Sequence, residues 1–592
     1  MSGKKIIRLI IILSCVLAGT AALTVAFLAY RLGFDKDQVW GAQRLLLAGF
    51  GFLTCLLGAL VLWYPPIERK AKALAGKLNR PFLPSHLPGA RRESTQPRTV
   101  ESLLENKKGI SSPRTIAPTG HTGNWVAASC LAALVVAVMC ITDGTFSTWT
   151  PSSRYFDKLA AAFLQGSYAL VEQPPAELLA LEDPYDWQAR EGLEYIWDAS
   201  LYEGKYYLYF GPVPALAALP FKWLLRSTVI EDQYILMGFY AGFVISLGAM
   251  LSWLRDKFFP HAPPWTAALF TLLGGLCLPV LWLVQARYFY EVSIMGGQFF
   301  LILGLYAVLR GMAAVKKAHN WLLLGGAAWG AAIGCRMNHT VGIGLMAALA
   351  ACIFVRQGKK SAARLVWLAI PLILWGVWLG YYNLARFGSV LEFGHRYQLT
   401  GPAYSDNIRV IFSLSYALPN AYNIFLRPPL ILLGAYPYIS APFISQDMWP
   451  WFIRPPANYY YSEAIVGLLP GVPVLALLLA PIFHTLMQFV RWLHTEGATD
   501  AKTANPAVRQ TWLMLAAGMA GSSMTIVLYI ASTMRYLADI APLALILLAV
   551  TTWEMLDKLR TAPLFRWLWL GLLLTLATIS LLLSLWINYW AR

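Results

Sequence analysis

The stretch DGTFSTWTPSSRYFDKLAAAFLQGSYAL (143–170), continued by EDPYDWQAR (182–190) and WDASLYEGKYYLYFGPVPAL (197–216), decides how this chain is read. It is polar, acidic and rich in aromatic residues, and it lies between apolar runs. From Asp143 to Tyr207 there are 11 Asp and Glu against 4 Lys and Arg, whereas the whole chain carries a formal charge of +17. A segment so acidic inside a basic, apolar chain belongs on the side of a bilayer that does not retain positive charge. Chemistry is expected there.

Outward from this loop the chain is apolar. Of 592 residues, 58% are hydrophobic and 13% are charged. Soluble domains carry roughly 25% charged residues. Runs at 9–29, 45–64 and 125–142 are long enough to cross a hydrocarbon core of ~30 Å. Further runs lie at 208–226, 233–254, 265–285, 293–309, 321–334, 340–355, 365–382, 464–490, 511–532, 537–556 and 565–588. The expected fold is all-α, with 12 to 14 transmembrane helices and amphipathic helices in the first large loop. The runs lack the alternation of barrel strands. Three parts are expected: a two-helix module at 1–64, a basic and partly disordered loop at 65–123, and a transmembrane domain at 124–592.

The positive charge has a local explanation. Residues 65–123 hold 11 Lys and Arg against 4 Glu between two spans, the signature of a loop kept on the cytoplasmic side. Nucleic acid is therefore not an expected partner; membrane lipids are. The seven cysteines lie in or beside apolar spans, with no disulfide framework or metal spacing. Charge counting places 143–207, 287–291, 384–462 and 535–539 on one outer face. It leaves the sidedness of 208–254 open and predicts a broken or re-entrant segment there.

Four stretches carry a family likeness: RYFDKLAAAFLQGSYAL (154–170), DASLYEGKYYLYFGPVPALAALP (198–220), YNLARFGSVLEFGHRYQLTG (382–401) and RYLADIAP (535–542). In these, over about 125–560, the chain resembles the GT-C superfamily of integral-membrane glycosyltransferases. The bacterial relatives of the protein O-mannosyltransferase and aminoarabinose-transferase group are the most similar. The resemblance implies a multi-pass enzyme of the bacterial cytoplasmic (inner) membrane with its active face periplasmic. Its donor would be a polyprenyl-phosphate sugar, and its acceptor a hydroxyl of a glycan, lipid or protein. The chain departs from the family at one point. The acidic pair that precedes Arg-Tyr in many members is replaced by Pro151-Ser152-Ser153 before Arg154-Tyr155.

That chemistry needs a carboxylate to take the acceptor's proton and cations to hold the departing phosphate. Candidate bases are Asp198, Asp143, Asp157 and Glu291. Each also has a plain structural reading: Asp198 as a cap, Asp143 as a turn residue beside Gly144, Asp157 as a solvated helix position beside Lys158, and Glu291 as a partner of Arg287. Candidate phosphate contacts are Arg154, Lys205, Arg287, Arg336, Arg396, Arg535 and Tyr536, because a guanidinium fork matches phosphate oxygens. Tyr155, Tyr202, Tyr206, Tyr207 and Tyr290 are candidate sugar or acceptor contacts, or members of an interfacial aromatic belt. No cofactor is required by the sequence. The acidic loop could hold a divalent cation, Mg or Mn, but no ligand spacing demands one. The alternatives to a transferase are a transporter or lipid-sugar flippase, and a non-catalytic scaffold for envelope assembly.

Overall fold

A computed structural model describes residues 121–149, 151–225, 229–314, 316–401, 411–432, 436–443, 449–460, 463–479 and 506–589. The chain divides into two units. One, Met1–Thr119 with Ala480–Ala501, lies outside the described residues, and with it the expected 1–64 module and nearly all of the basic loop. The described residues belong to the other unit, Gly120–Leu479 with Lys502–Arg592.

This unit is helical. Helix α1 (His121–Ile141) leads into a loop holding α2 (Tyr155–Leu164), a hairpin of β1 (Ser200–Tyr202) and β2 (Lys205–Tyr207), and α3 (Val213–Leu225). Then come α4 (Asp232–Phe258), α5 (Pro264–Leu276), α6 (Leu278–Ala286) and α7 (Phe289–Ala313). They are followed by α8 (Ala318–Cys335), α9 (His339–Arg356) and α10 (Leu365–Phe387). A second large loop carries α11 (Ala417–Phe425), and α12 (Pro506–Val527), α13 (Ala541–Lys558) and α14 (Pro563–Tyr589) complete the unit. Among the described residues, 6 helices are long and apolar enough to cross a membrane, and α5 with α6, bent by 45°, makes a seventh if the pair is one span. The protein is a multi-pass helical membrane protein. Helices α8, α12 and α13, of 18, 22 and 18 residues, have spanning length but are less apolar.

The run 208–226 is not a span. Helix α3 has 13 residues, or ~20 Å at 1.5 Å per residue, too short for a core of ~30 Å. Its flanks return to one loop. Lys222 pairs with Asp157 at 2.7 Å. Asp232, the first residue of α4, accepts from Ser153 Oγ at 2.6 Å. The segment is thus re-entrant, and α4 runs from the loop-bearing end to the end that carries Arg255 and Lys257.

Breaks in the bundle are closed by side chains, as lipid requires. The α5–α6 break falls at Cys277, beside the Leu276 and Leu278 carbonyls. Ser584 Oγ donates to the first and Asn588 Nδ2, at 3.3 Å, to the second, both from α14. Helices α9 and α12 approach through Gly342 and Gly521, where a Cβ on Gly521 would strike the Gly342 backbone. In the hairpin, Glu203 (φ 48) and Gly204 (φ 71) both have the positive φ of a two-residue turn that matches strand twist.

Candidate functional site

Two large loops meet on the hairpin. The Asp198 N–H donates to the Leu399 carbonyl at 3.0 Å, and the Leu399 N–H returns to Ala199 O at 2.8 Å. Ser200 pairs with Gln398 as an isolated bridge, and Ser200 Oγ donates to Gly394 O at 2.8 Å. Arg190 Nη2 donates to the Thr400 carbonyl at 2.6 Å. A 3-10 turn, His395–Tyr397, and the residues 398–400 that follow it therefore close against the acidic loop.

This junction holds Asp198 in a left-handed backbone conformation, φ 57, which costs a non-glycine residue ~1–2 kcal/mol. The side chain is 6% exposed, and its Oδ1 has no hydrogen-bond partner. Burial pushes the carboxyl pKa up, opposed by hydrogen bonds from Thr400 and Gln398 and by the charges of Arg535 and Arg190. Tyr155 fixes the preceding peptide, its OH donating to Trp197 O at 2.7 Å while its ring stacks on Phe289 at 4.0 Å. Arg190 is itself buried, and its Nε and Nη1 lack partners. His395 stacks on Tyr209 at 5.2 Å and bonds Gln398 Oε1 at 2.9 Å. Burial depresses its pKa to about 4, so the ring is neutral near pH 7.

Beside Asp198 stands Arg535, on the 3-10 turn Met534–Asp539. Its Nη2 meets Glu463 Oε1 at 2.8 Å and its Nη1 lies 3.7 Å from Glu291 Oε1. The guanidinium covers the Tyr290 ring at 4.2 Å. The two carboxylates outweigh burial and hold its pKa up. The same turn ends in Asp539, fully buried, with Oδ2 3.1 Å from Arg336 Nη2 and Oδ1 3.4 Å from Gln298 Nε2. Arg336 also covers the Tyr536 ring at 5.2 Å. All four segments expected on one face, 143–207, 287–291, 384–462 and 535–539, thus supply residues to one end of the bundle.

Several candidates are engaged elsewhere. Asp157 is not a solvated helix position. It is buried, held by Lys222 Nζ at 2.7 and 2.9 Å and by the Ile230 N–H at 3.1 Å, so its lone pairs are spent on structure. Glu291 pairs with Arg535 rather than Arg287, and it also caps α7 through the Tyr288 N–H at 3.2 Å. Arg287 grips Asp143 through both oxygens, at 3.3 and 3.0 Å, and also bonds Ile141 O at 2.7 Å. Arg154 is tied to Glu231 at 2.9 Å and Arg396 to Glu392 at 2.6 Å. Lys205 is exposed at the start of β2. Tyr206 and Tyr207 are buried, the latter against Phe387 at 5.3 Å, and Tyr202 packs on Phe387 and Tyr397. Tyr206 and Tyr207 form loop core, not an open stacking platform.

The acidic pair missing before Arg154-Tyr155 has a spatial counterpart. Glu231 takes Arg154 and the Ser152 N–H. Asp232 takes Ser153 Oγ and the N–H groups of Tyr155 and Phe156, at 3.0 and 3.2 Å, and so caps α2 from another helix. Glu231, Asp232, Glu463, Arg190 and Asp539 were not singled out from sequence. Lys222 and Asp539, single charges in apolar runs, gave a usable signal, since such charges need partners.

Among the described residues no group of three or more His, Cys, Asp or Glu is placed to hold a metal ion.

No protein-family model matches the chain, and no curated protein matches it. Among solved structures it is similar to the Archaeoglobus fulgidus oligosaccharyltransferase tethered to an acceptor peptide, at 12% identity and a TM-score of 0.37. The match covers 78% of this chain and 55% of that one, so the chain spans about half the length of that protein.

Proposed function

We infer that this protein is a GT-C-type glycosyltransferase. It moves a sugar from a polyprenyl-phosphate carrier to an acceptor hydroxyl at the outer face of a bacterial cytoplasmic membrane. One observation carries the reading: a buried carboxylate, Asp198, with an unpartnered oxygen in a frame of arginines and aromatic rings, within the motif that most resembles the family. The sidedness rests on charge. Arg255, Lys257, Lys316, Lys317, Lys359 and Lys360 lie at the opposite helix ends, which the positive-inside rule assigns to the cytoplasm.

In this reading Asp198 takes the proton of the acceptor hydroxyl. The acceptor oxygen bonds the anomeric carbon from the face opposite the carrier, with inversion. The bond from that carbon to the carrier oxygen breaks, and its electron pair leaves on the lipid phosphate. A raised carboxyl pKa suits a base that works near neutral pH. Arg535 faces the departing phosphate; a guanidinium has five N–H donors, and its two carboxylate partners fix the fork without occupying all of them. The stacked Tyr155–Phe289 and Tyr209–His395 pairs offer ring faces for sugar.

The purified full chain, given a panel of polyprenyl-phosphate sugars and a membrane extract as acceptor, is expected to release polyprenyl phosphate. No turnover across the panel would overturn the reading. A second reading, a transporter, flippase or scaffold, is favoured by the double engagement of Arg535 with Glu291 and Glu463. It predicts substrate movement in proteoliposomes, or none, with no transfer product.

A further inference from the structure

At the end of the bundle away from Asp198, the C-termini of α4 and α7 and the N-terminus of α8 surround an open pocket of about 250 Å³. Trp253, Lys257, Arg310, Lys316 and Trp321 line it, with two alanines. The Arg310 guanidinium lies 4.6 Å from the Trp321 ring and 5.6 Å from both Trp253 and Tyr306. Its Nη1 donates to the Tyr306 hydroxyl at 3.1 Å. Lys257 Nζ lies 5.6 Å from the Trp253 ring and donates to Ala313 O at 3.3 Å.

The pocket is charge-unbalanced. Asp256, the adjacent acid in sequence, is turned to Arg255 at 2.8 Å and to Thr122 Oγ1 at 3.0 Å. Among the described residues no carboxylate pairs with Arg310, Lys257 or Lys316. This contrasts with Arg154, Arg287, Arg336, Arg396 and Arg535, each of which meets an acid. Three cations around one small space repel one another unless an anion joins them. The α4 and α7 C-termini add partial negative charge, which Lys257 offsets in part, and the α8 N-terminus adds partial positive charge.

The geometry points to a binding site for the phosphate of an anionic phospholipid. Arg310 lies three residues before the end of α7 and Trp321 in the first turn of α8, so the pocket opens at headgroup level. Tryptophan and basic side chains at helix ends sit at that level of a bilayer. The guanidinium offers a planar fork to two phosphate oxygens, and the two lysines add point charges. Basic pockets between transmembrane helices hold anionic headgroups in this way. A free phosphate shares the chemistry but does not need the interfacial tryptophans. This site is independent of the transferase reading.

The test is lipid titration of the purified full chain in detergent, followed by native mass spectrometry, with phosphatidylglycerol, phosphatidylcholine and inorganic phosphate as probes. The wild type is expected to retain phosphatidylglycerol over phosphatidylcholine. The Lys257→Gln/Arg310→Gln variant should lose that preference by about thirtyfold, from ~1 kcal/mol per basic residue. Should that variant not fold, Lys257→Gln/Lys316→Gln removes two exposed charges and is expected to show the same loss. Equal retention of both lipids by the wild type overturns the proposal, and so does unchanged preference in a folded variant. Displacement of bound phosphatidylglycerol by inorganic phosphate at equal concentration keeps the phosphate site but overturns its assignment to lipid.

Discussion

The Asp198 N–H meets the Leu399 carbonyl at 3.0 Å. That bond joins two loops some two hundred residues apart and fixes a carboxylate of the acidic segment that is 6% exposed and left with an open oxygen. The other acids of this segment singled out from sequence are held: Asp143 by Arg287 and Asp157 by Lys222.

Asp198→Asn is expected to lower turnover by ~10²–10⁴-fold, the usual worth of a general base. It should not lower stability. Burial raises the folded-state pKa of Asp198, so its stabilising contribution is full below the unfolded carboxylate value and is lost as pH rises through the folded one. At neutral pH the variant should melt no lower than wild type, and above it if desolvation dominates. Asn also tolerates the left-handed backbone. Thermal unfolding of purified protein checks this, and a large drop in melting temperature would contradict it.

The same raised pKa predicts the wild-type pH profile. Turnover per unit donor should rise with pH through a value above the ordinary carboxylate range, because only ionised Asp198 accepts a proton. His395, neutral above about 4, should add no step between pH 5 and 8. Replacing it with Gln should leave the position of that limb unchanged.

Asp157→Ala should destabilise by ~3–5 kcal/mol, because it strands Lys222 without its partner. Asp157→Leu/Lys222→Met should recover much of that loss. Folded fractions of either should keep wild-type activity. A catalytic Asp157 would instead leave the double variant stable and inactive.

Asp232→Ala removes the acceptor for Ser153, Tyr155 and Phe156 and should cost ~1–2 kcal/mol as a lost cap. Hydrogen exchange should speed up across 154–164 before any other helix. Uniform acceleration would show that the cap is not what orders α2.

Glu463→Gln separates two roles of Arg535. If the guanidinium meets the phosphate, loosening it from Glu463 should lower KM for the donor. If Arg535 is only an anchor for the loops, the variant should lower kcat and melting temperature with KM unchanged.

Much of this architecture was legible from hydropathy and charge. The acidic loop, a broken or re-entrant segment within 208–254 and the shared face of four loops follow from where apolar runs stop and which ends carry lysine. Pairing was not legible. Lys222 finds Asp157 only because α3 folds back, and Asp232 caps a helix 77 residues earlier in the chain, a contact without local signal. The tyrosines of KYY read as a platform because their aromatic character is visible in sequence, whereas their burial, Tyr207 against Phe387, is not.

The most direct measurement is single-turnover release of polyprenyl phosphate from a labelled donor by purified wild type, Asp198→Asn and Asp143→Asn. The account predicts release by the wild type, release within a few-fold of it by Asp143→Asn, and a loss of at least ~10²-fold in Asp198→Asn with the protein still folded. Equal release by wild type and Asp198→Asn would contradict it.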